Sequence, residues 1–233
     1  VKLATIGILL MMQLFEADRS LEEMRDKQAV LTTSRGDVVL ELLSEKAPNH
    51  VAYFMKVAEA GDLDGTTFHR IVKYGIIQGG DPKTKDPSAK DEYGTGGLGV
   101  LARELNDEKH TRGAVSAVQI PGQPDSAGSQ FFIVVTDQSA LDGQFTVFAR
   151  VAEGIQLVQS ISETPTDDAA NALERVVIES VTIRDRPPPE IPPFATETVE
   201  ELASYRAVLD TSMGEIEVEL FPALAPEHVR NFL

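Results

Sequence analysis

Between residues 29 and 185 the apolar residues arrive in short runs: Thr67 to Val72, Gly75 to Gly79, Ala114 to Val118, Phe131 to Val135, Thr146 to Val151 and Val176 to Arg184. Each run is rich in branched and aromatic side chains and is bounded by Gly, Pro or Asp, the pattern of strands between turns. Helical spacing appears only near 48–60 and 153–162. Many short strands with few helices restrict the chain to a mainly β architecture. The expectation is a closed or nearly closed β-barrel of about eight strands with two helices.

A repeat sets the expected domain plan. Residues 29–55 and 207–233 align without a gap at an offset of 178, with 13 of 27 positions identical. Each copy reads as a strand, a Gly turn (Ser34-Arg35-Gly36-Asp37 and Ser212-Met213-Gly214-Glu215), a second strand, and an Ala-Pro step into a helix whose first turn suits proline. Between the copies, Pro187, Pro188, Pro189, Pro192 and Pro193 form a stiff spacer that cannot pair within a sheet. Thr198-Val199-Glu200-Glu201 then has capping-box spacing. The plan is an N-terminal apolar segment or helix over 1–28, a complete domain over 29–185, a Pro-rich linker and short helix over 186–206, and the truncated start of a second domain over 207–233.

Lys2 and the apolar run from Leu3 to Phe15 have the length of a signal-peptide core and are too short for a membrane span. The expected location is periplasmic or secreted, with no stable membrane insertion of the mature domain. A cytoplasmic alternative stays open, because Phe15-Glu16-Ala17 is a poor cleavage site and Ile8, Met11, Met12 and Phe15 also fit one face of a helix continuing through Leu21 to Met24. A formal net charge of −16 repels phosphate backbones, which argues against nucleic acid as a partner. With no cysteine there is neither a thiolate nucleophile nor a disulfide frame.

Several motifs fail on chemistry. Gly94-Thr95-Gly96-Gly97-Leu98-Gly99 has the letters of a dinucleotide fingerprint, but a polar loop containing Pro87 precedes it and Leu101 to Asp107 is too short for a crossover helix. His50, His69, His110 and His228 show no metal-ligand spacing, so neither metal nor cofactor is expected. His50 and His228 occupy equivalent repeat positions, which favours packing or surface roles. Ser129, in Ala-Gly-Ser-Gln, is not a nucleophile elbow.

One constellation remains: Arg70 inside the apolar run Phe68-His69-Arg70-Ile71-Val72, the amides Gln78 and Gln130, and the apolar Ile76, Phe132, Leu141 and Phe145. A guanidinium keeps its charge, and placing one among apolar residues is costly unless polar groups of a ligand meet it. The set suits an apolar ring joined to a polar peptide bond. FHRIV, QGGD, GTGG, GSQFF and LDGQFTVF, in this order and spacing, resemble the cyclophilin family of peptidyl-prolyl isomerases over residues 29–185, and the likeness resumes at 207–233.

The resemblance implies a cyclophilin-like fold, a closed eight-stranded antiparallel β-barrel with two capping helices, and an isomerase assisting protein folding, acting as a monomer on proline-containing peptides and on unfolded or partly folded proteins. Arg70 becomes the donor to the prolyl nitrogen, and Ile76, Phe132, Leu141 and Phe145 the pocket walls. Gln78 orients the arginine, Gln119 and Gln130 contact the groove, and Thr95 and Gly96 belong to its far wall. His69 adjoins the site in a structural role. Three departures stand out. Lys73-Tyr74-Gly75 replaces the usual Pro-Gly-Phe, so Tyr74 is expected to supply the missing aromatic from a shifted position. Ala140 replaces the frequent aromatic before Leu-Asp-Gly, and the segment at Gln119-Ile120-Pro121-Gly122-Gln123 is two residues longer than usual. A noncatalytic proline-peptide scaffold with tandem domains is the alternative.

Overall fold

Alternation along the strands decides which residues face the interior and which face outward. The computed structural model describes residues 14–191 and 193–233 and divides into two units, Val1–Arg186 and Pro187–Leu233. In the first, α1 (Leu21–Met24) leads into β1 (Lys27–Thr33), β2 (Gly36–Leu42) and α2 (Pro48–Glu59). There follow β3 (Arg70–Val72), β4 (Ile76–Gly79), β5 (Ala114–Ala117), β6 (Phe131–Val134), β7 (Val147–Glu153), α3 (Ile155–Ser162) and β8 (Ile178–Asp185). The strands form one strongly curled antiparallel sheet of eight, in the order β3-β4-β6-β5-β7-β2-β1-β8. Irregular backbone joins its outer strands: Phe68 N–H donates to Val176 O at 3.0 Å, Ile178 N–H to Thr66 O at 2.8 Å, and Thr67 lies opposite Val177. The apolar run starting at Thr67 therefore spends its first residues on this seam and enters the regular ladder at Arg70.

Strand β6 is buried on both faces. Phe131 and Ile133 enter the main core with Ile71, Ile77 and Val115, whereas Phe132 and Val134 join Ala114 and Val147 in a separate outer cluster. Phe54 of α2 caps the main core, 5.8 Å from Phe131 and 5.4 Å from Phe148 between ring centroids.

Helix α2 has no side-chain cap of its own, since Ala47 precedes Pro48. Glu104, on a distant loop, supplies one. Its carboxylate accepts from Asn49 N–H (3.0 Å), the Asn49 side-chain amide (2.9 Å), His50 N–H (2.9 Å) and His50 Nδ1 (2.6 Å). Burial acts to raise the Glu104 pKa, but the bonds from His50 and from the backbone of Asn49 and His50 outweigh it and hold the carboxyl below its usual range. His50 is thus a packed residue, stacked on Phe148, while its repeat equivalent His228 is exposed.

Residues 1–13, which carry most of the signal-like run, lie outside the described residues. Residues 14–20 are not helical, so the amphipathic helix expected to run from Ile8 to Met24 is not formed there. Phe15 instead donates its N–H to Val100 O at 2.8 Å and sets its ring edge-on to Tyr53. Helix α1 starts afresh on the reciprocal Ser20–Glu23 capping box. No helix among the described residues is long and apolar enough to cross a membrane.

The second unit holds α4 (Val199–Leu202), β9 (Arg206–Thr211), β10 (Gly214–Glu219) and α5 (Pro226–Phe232). Thr198 and Glu201 cap α4 reciprocally. The hairpin repeats the local geometry of β1–β2. Gly36 and Gly214 have φ of 127° and 123°, and Thr33 Oγ1 and Thr211 Oγ1 each donate to that glycine's carbonyl at 2.7 Å. Ala47 and Ala225 both precede their helices at φ −146°, ψ 66°. Only the surroundings differ: β1 and β2 are flanked by β8 and β7, whereas β9 and β10 pair with each other alone. Leu31 and Val38 are fully buried, while their equivalents Leu209 and Ile216 are 45% and 52% exposed.

Candidate active site

Ladder register builds the site. Arg70 pairs with Gln78, Gln78 with Phe132, and Phe132 with Ser116, so one row on the outer face of β3, β4, β6 and β5 runs from a cation to an aromatic ring. Strands stand about 4.8 Å apart, which puts roughly 10 Å of backbone between Arg70 and Phe132. The next row is Val72, Ile76 and Val134. Over these rows lies a cleft of about 820 Å³.

Arg70, Ile76, Gln78, Thr95, Gln119, Phe132, Leu141 and Phe145 all line it. Phe132 forms its buried floor, meeting Phe145 edge to face at 5.4 Å. The Arg70 side chain is exposed, with no hydrogen bond or ion pair to any described residue. Another open groove, of about 680 Å³, differs on this point. There Arg19 binds Glu59 through two bonds of 3.0 and 2.9 Å, and Lys27 pairs with Asp185. A cation without an internal partner, beside an apolar floor, is the arrangement that needs a polar ligand atom.

Three expected contacts sit elsewhere. Gln130 is 1% exposed and lies behind the cleft rather than in it. It accepts from Gln78 Nε2 at 3.0 Å and donates to Gly96 O at 2.7 Å, so it ties β4 to the glycine loop. Gly96 is buried by that bond, and Gly94, Thr95 and Leu98 present the loop to the cleft instead. Tyr74 occupies the β3–β4 turn at φ 56°, 46% exposed and outside the lining. The left-handed turn carries its ring away, toward Lys73 Nζ at 5.3 Å, so it does not replace the missing aromatic. Val72 fills that place: its Cγ1 is 2.9 Å from where a Gly75 Cβ would stand. Nor does Gln78 hydrogen-bond Arg70; its amide N–H donates to Gln130 instead.

The longer segment folds as a closed turn, with Gln123 N–H donating to Ile120 O at 2.9 Å and Ile120 N–H to Ser126 Oγ at 2.8 Å. It brings Gln119, Ile120 and Pro121 to the rim. Ile120, Pro121, Leu98, Val118 and Gln138 were not assigned to the site from the sequence, and only the Pro-Gly turn at 121–122 signals that this segment doubles back. Asp81, fully buried, accepts from Gly94 N–H at 2.5 Å and from Lys83 N–H at 2.8 Å, which fixes the far wall. His69 adjoins Arg70, and burial lowers its pKa against the opposing Thr67 carbonyl and Asp81. A neutral buried imidazole fits a structural role. Among the described residues no cluster of His, Cys, Asp and Glu is placed to hold a metal ion.

The far wall rests on one close approach. A Cβ on Gly128 would stand 1.9 Å from Gly97 O, so Gly128→Ala must push the 94–98 loop outward. We expect about tenfold weaker binding of a proline peptide, near 1.4 kcal/mol, with the curled sheet intact. Titration calorimetry beside a thermal melt checks this, and unchanged affinity would refute the loop's role as a wall.

The sequence profile for the cyclophilin type peptidyl-prolyl cis-trans isomerase matches residues 29–183. Peptidyl-prolyl cis-trans isomerase 9 of Schizosaccharomyces pombe is 37% identical over 162 residues, covering 67% of this chain and 25% of its own length, so the chain spans about a quarter of that relative. Peptidyl-prolyl cis-trans isomerase-like 1 of Homo sapiens is 36% identical over 153 residues, 64% of this chain and 87% of that protein. The crystal structure of a Cryptosporidium parvum cyclophilin type isomerase in the presence of the dipeptide Ala-Pro is similar with a TM-score of 0.61 and 25% identity, over 68% of this chain and 99% of that one. A curled eight-stranded sheet carrying this cleft, together with a profile match over most of that sheet, has one consequence: the chain belongs to the cyclophilin-type peptidyl-prolyl cis-trans isomerase family.

Proposed function

We propose that the cleft binds an X–Pro segment with the proline ring on Phe132, between Ile76, Leu141 and Phe145, and that Arg70 donates to the prolyl nitrogen as the bond twists. The barrier to rotation is about 18–20 kcal/mol because the planar amide is resonance-stabilised. At the twisted transition state that resonance is lost and the nitrogen regains a lone pair, so a donor aimed there binds the transition state better than either planar form. No covalent bond breaks. A charge-assisted hydrogen bond of roughly 1.5–3 kcal/mol gives about tenfold to somewhat over a hundredfold in rate. The remainder is assigned to the apolar cleft, which fixes the ring while the carbonyl side swings. The observation that carries this reading is the Arg70–Gln78–Phe132 row, with its guanidinium left without a partner among the described residues. Proline-containing peptides and partly folded chains are the proposed substrates, bound by a monomer. A protease-coupled assay on a proline tetrapeptide tests it: catalytic amounts of protein should accelerate cis-to-trans conversion, and no acceleration would end the proposal.

Residues 207–233 are proposed as the opening of a second cyclophilin-like domain, on the shared hairpin and helix geometry and on exposed apolar positions whose equivalents in the first unit lie in the main core. A two-stranded hairpin alone is marginal in water. Amide hydrogen exchange should therefore be far faster over 206–219 than over β1 and β2, and equal protection would contradict this. An exported location is proposed on the Lys2–Phe15 run alone, and cell fractionation decides it.

A further inference from the structure

His110 is 1% exposed and does not line the cleft, yet the apolar end of the cleft converges on it. Its ring stacks on Phe132 with centroids 6.0 Å apart and planes 15° apart, and meets Phe145 edge to face at 6.4 Å. The imidazole thus completes a cluster of three rings of which only the two phenyl rings reach the ligand space. Its polar edge is turned to the segment that carries Leu141. His110 N–H donates to Asp142 Oδ1 at 2.9 Å, its Nδ1 lies 3.1 Å from the same oxygen, and its carbonyl accepts from Gln138 N–H at 2.8 Å.

A carboxylate accepts and does not donate, so Nδ1 carries a hydrogen toward Asp142. Nε2 is buried with no hydrogen-bond partner among the described residues. Leaving a polar atom unpaired is a cost that a phenylalanine in the same space would avoid. An imidazole offers a flat ring to Phe132 and an N–H to Asp142 at once. We propose that His110 is a positioning residue for the proline pocket, holding the Phe132 and Phe145 rings and the Gln138–Asp142 segment in one arrangement before a peptide arrives. The inference rests on the reading of this cleft as the peptide site.

A preformed pocket lowers the ordering cost of binding and leaves the Arg70 chemistry alone. His110→Ala should therefore weaken a proline tetrapeptide about tenfold, with KM rising alike and kcat within about twofold. Asp142→Ala keeps the ring, removes its anchor, and should show a loss of the same kind. Because the two act through one contact, the double variant should bind little worse than the weaker single one. Calorimetric titration of the full chain with the tetrapeptide, kinetics and thermal melts together make the test. A merely structural role would lower the melting temperature and the active fraction with KM unchanged, and that result, or unaltered affinity in both variants, overturns the inference alone. If His110→Ala does not fold, Asp142→Ala carries the same prediction. Failure of the unmutated protein to bind the peptide overturns the reading of the cleft and this inference with it.

Discussion

Arg70→Ala should lower kcat/KM for a proline tetrapeptide by about tenfold to somewhat over a hundredfold, the worth of one charge-assisted hydrogen bond formed in the transition state. The loss should fall on kcat, because a ground-state proline nitrogen has no lone pair to offer and the contacts proposed for the ring are with the cleft-lining Phe132, Ile76 and Leu141. Stability should barely change, since the exposed side chain makes no hydrogen bond or ion pair with the described residues. Arg70→Lys should recover part of the rate at most: a point charge on a flexible stem replaces a planar fork. Coupled-assay kinetics with a thermal melt of each variant measure all of this. A variant without the guanidinium that keeps full kcat would remove Arg70 from the chemistry.

The largest expected effect on stability comes from Glu104, which never touches the cleft. Glu104→Ala strands two backbone N–H groups of α2, the Asn49 amide and the buried His50 ring. Each unsatisfied buried donor costs about 1–3 kcal/mol, and partial rehydration brings the total to roughly 3–5 kcal/mol. In a chain of this size that lowers Tm by about 10 °C. Glu104→Gln keeps an acceptor and should lose less.

The same carboxyl shapes the acid limb. Its folded-state pKa is held below the unfolded value, so its stabilisation is complete above about pH 4.3. It is lost as pH falls through the folded value. Unmutated protein should therefore lose stability more steeply than Glu104→Gln below about pH 4.5. Equal Tm at neutral pH for Glu104→Ala, or parallel acid limbs, would contradict the cap.

Strand periodicity made much of this legible. Arg70 and Val72, Ile76 and Gln78, and Phe132 and Val134 share a face because side chains alternate, and the order of motifs identified the family. Period two is silent about what folds over a face. Gln130 has the parity of Phe132, yet the 94–98 loop descends on it, so an expected ligand contact became a tie between walls. Tyr74 was misplaced because a turn's hand, which sent its ring outward, is not written in Lys-Tyr-Gly. Val72 was read as one more strand residue, although the small Gly75 beside it is what opens its face to the cleft. Glu104 was invisible as a cap because 54 residues separate it from His50, and capping rules read only neighbours.

Exchange NMR on a proline tetrapeptide at equilibrium reports binding and rotation in one sample, and so tests most directly whether the guanidinium of Arg70 acts on the twisting bond. With unmutated protein, cis and trans signals should exchange measurably during the mixing time. With Arg70→Ala, peptide signals should still shift on binding while exchange falls by at least about tenfold. Equal exchange rates at equal occupancy would contradict the account.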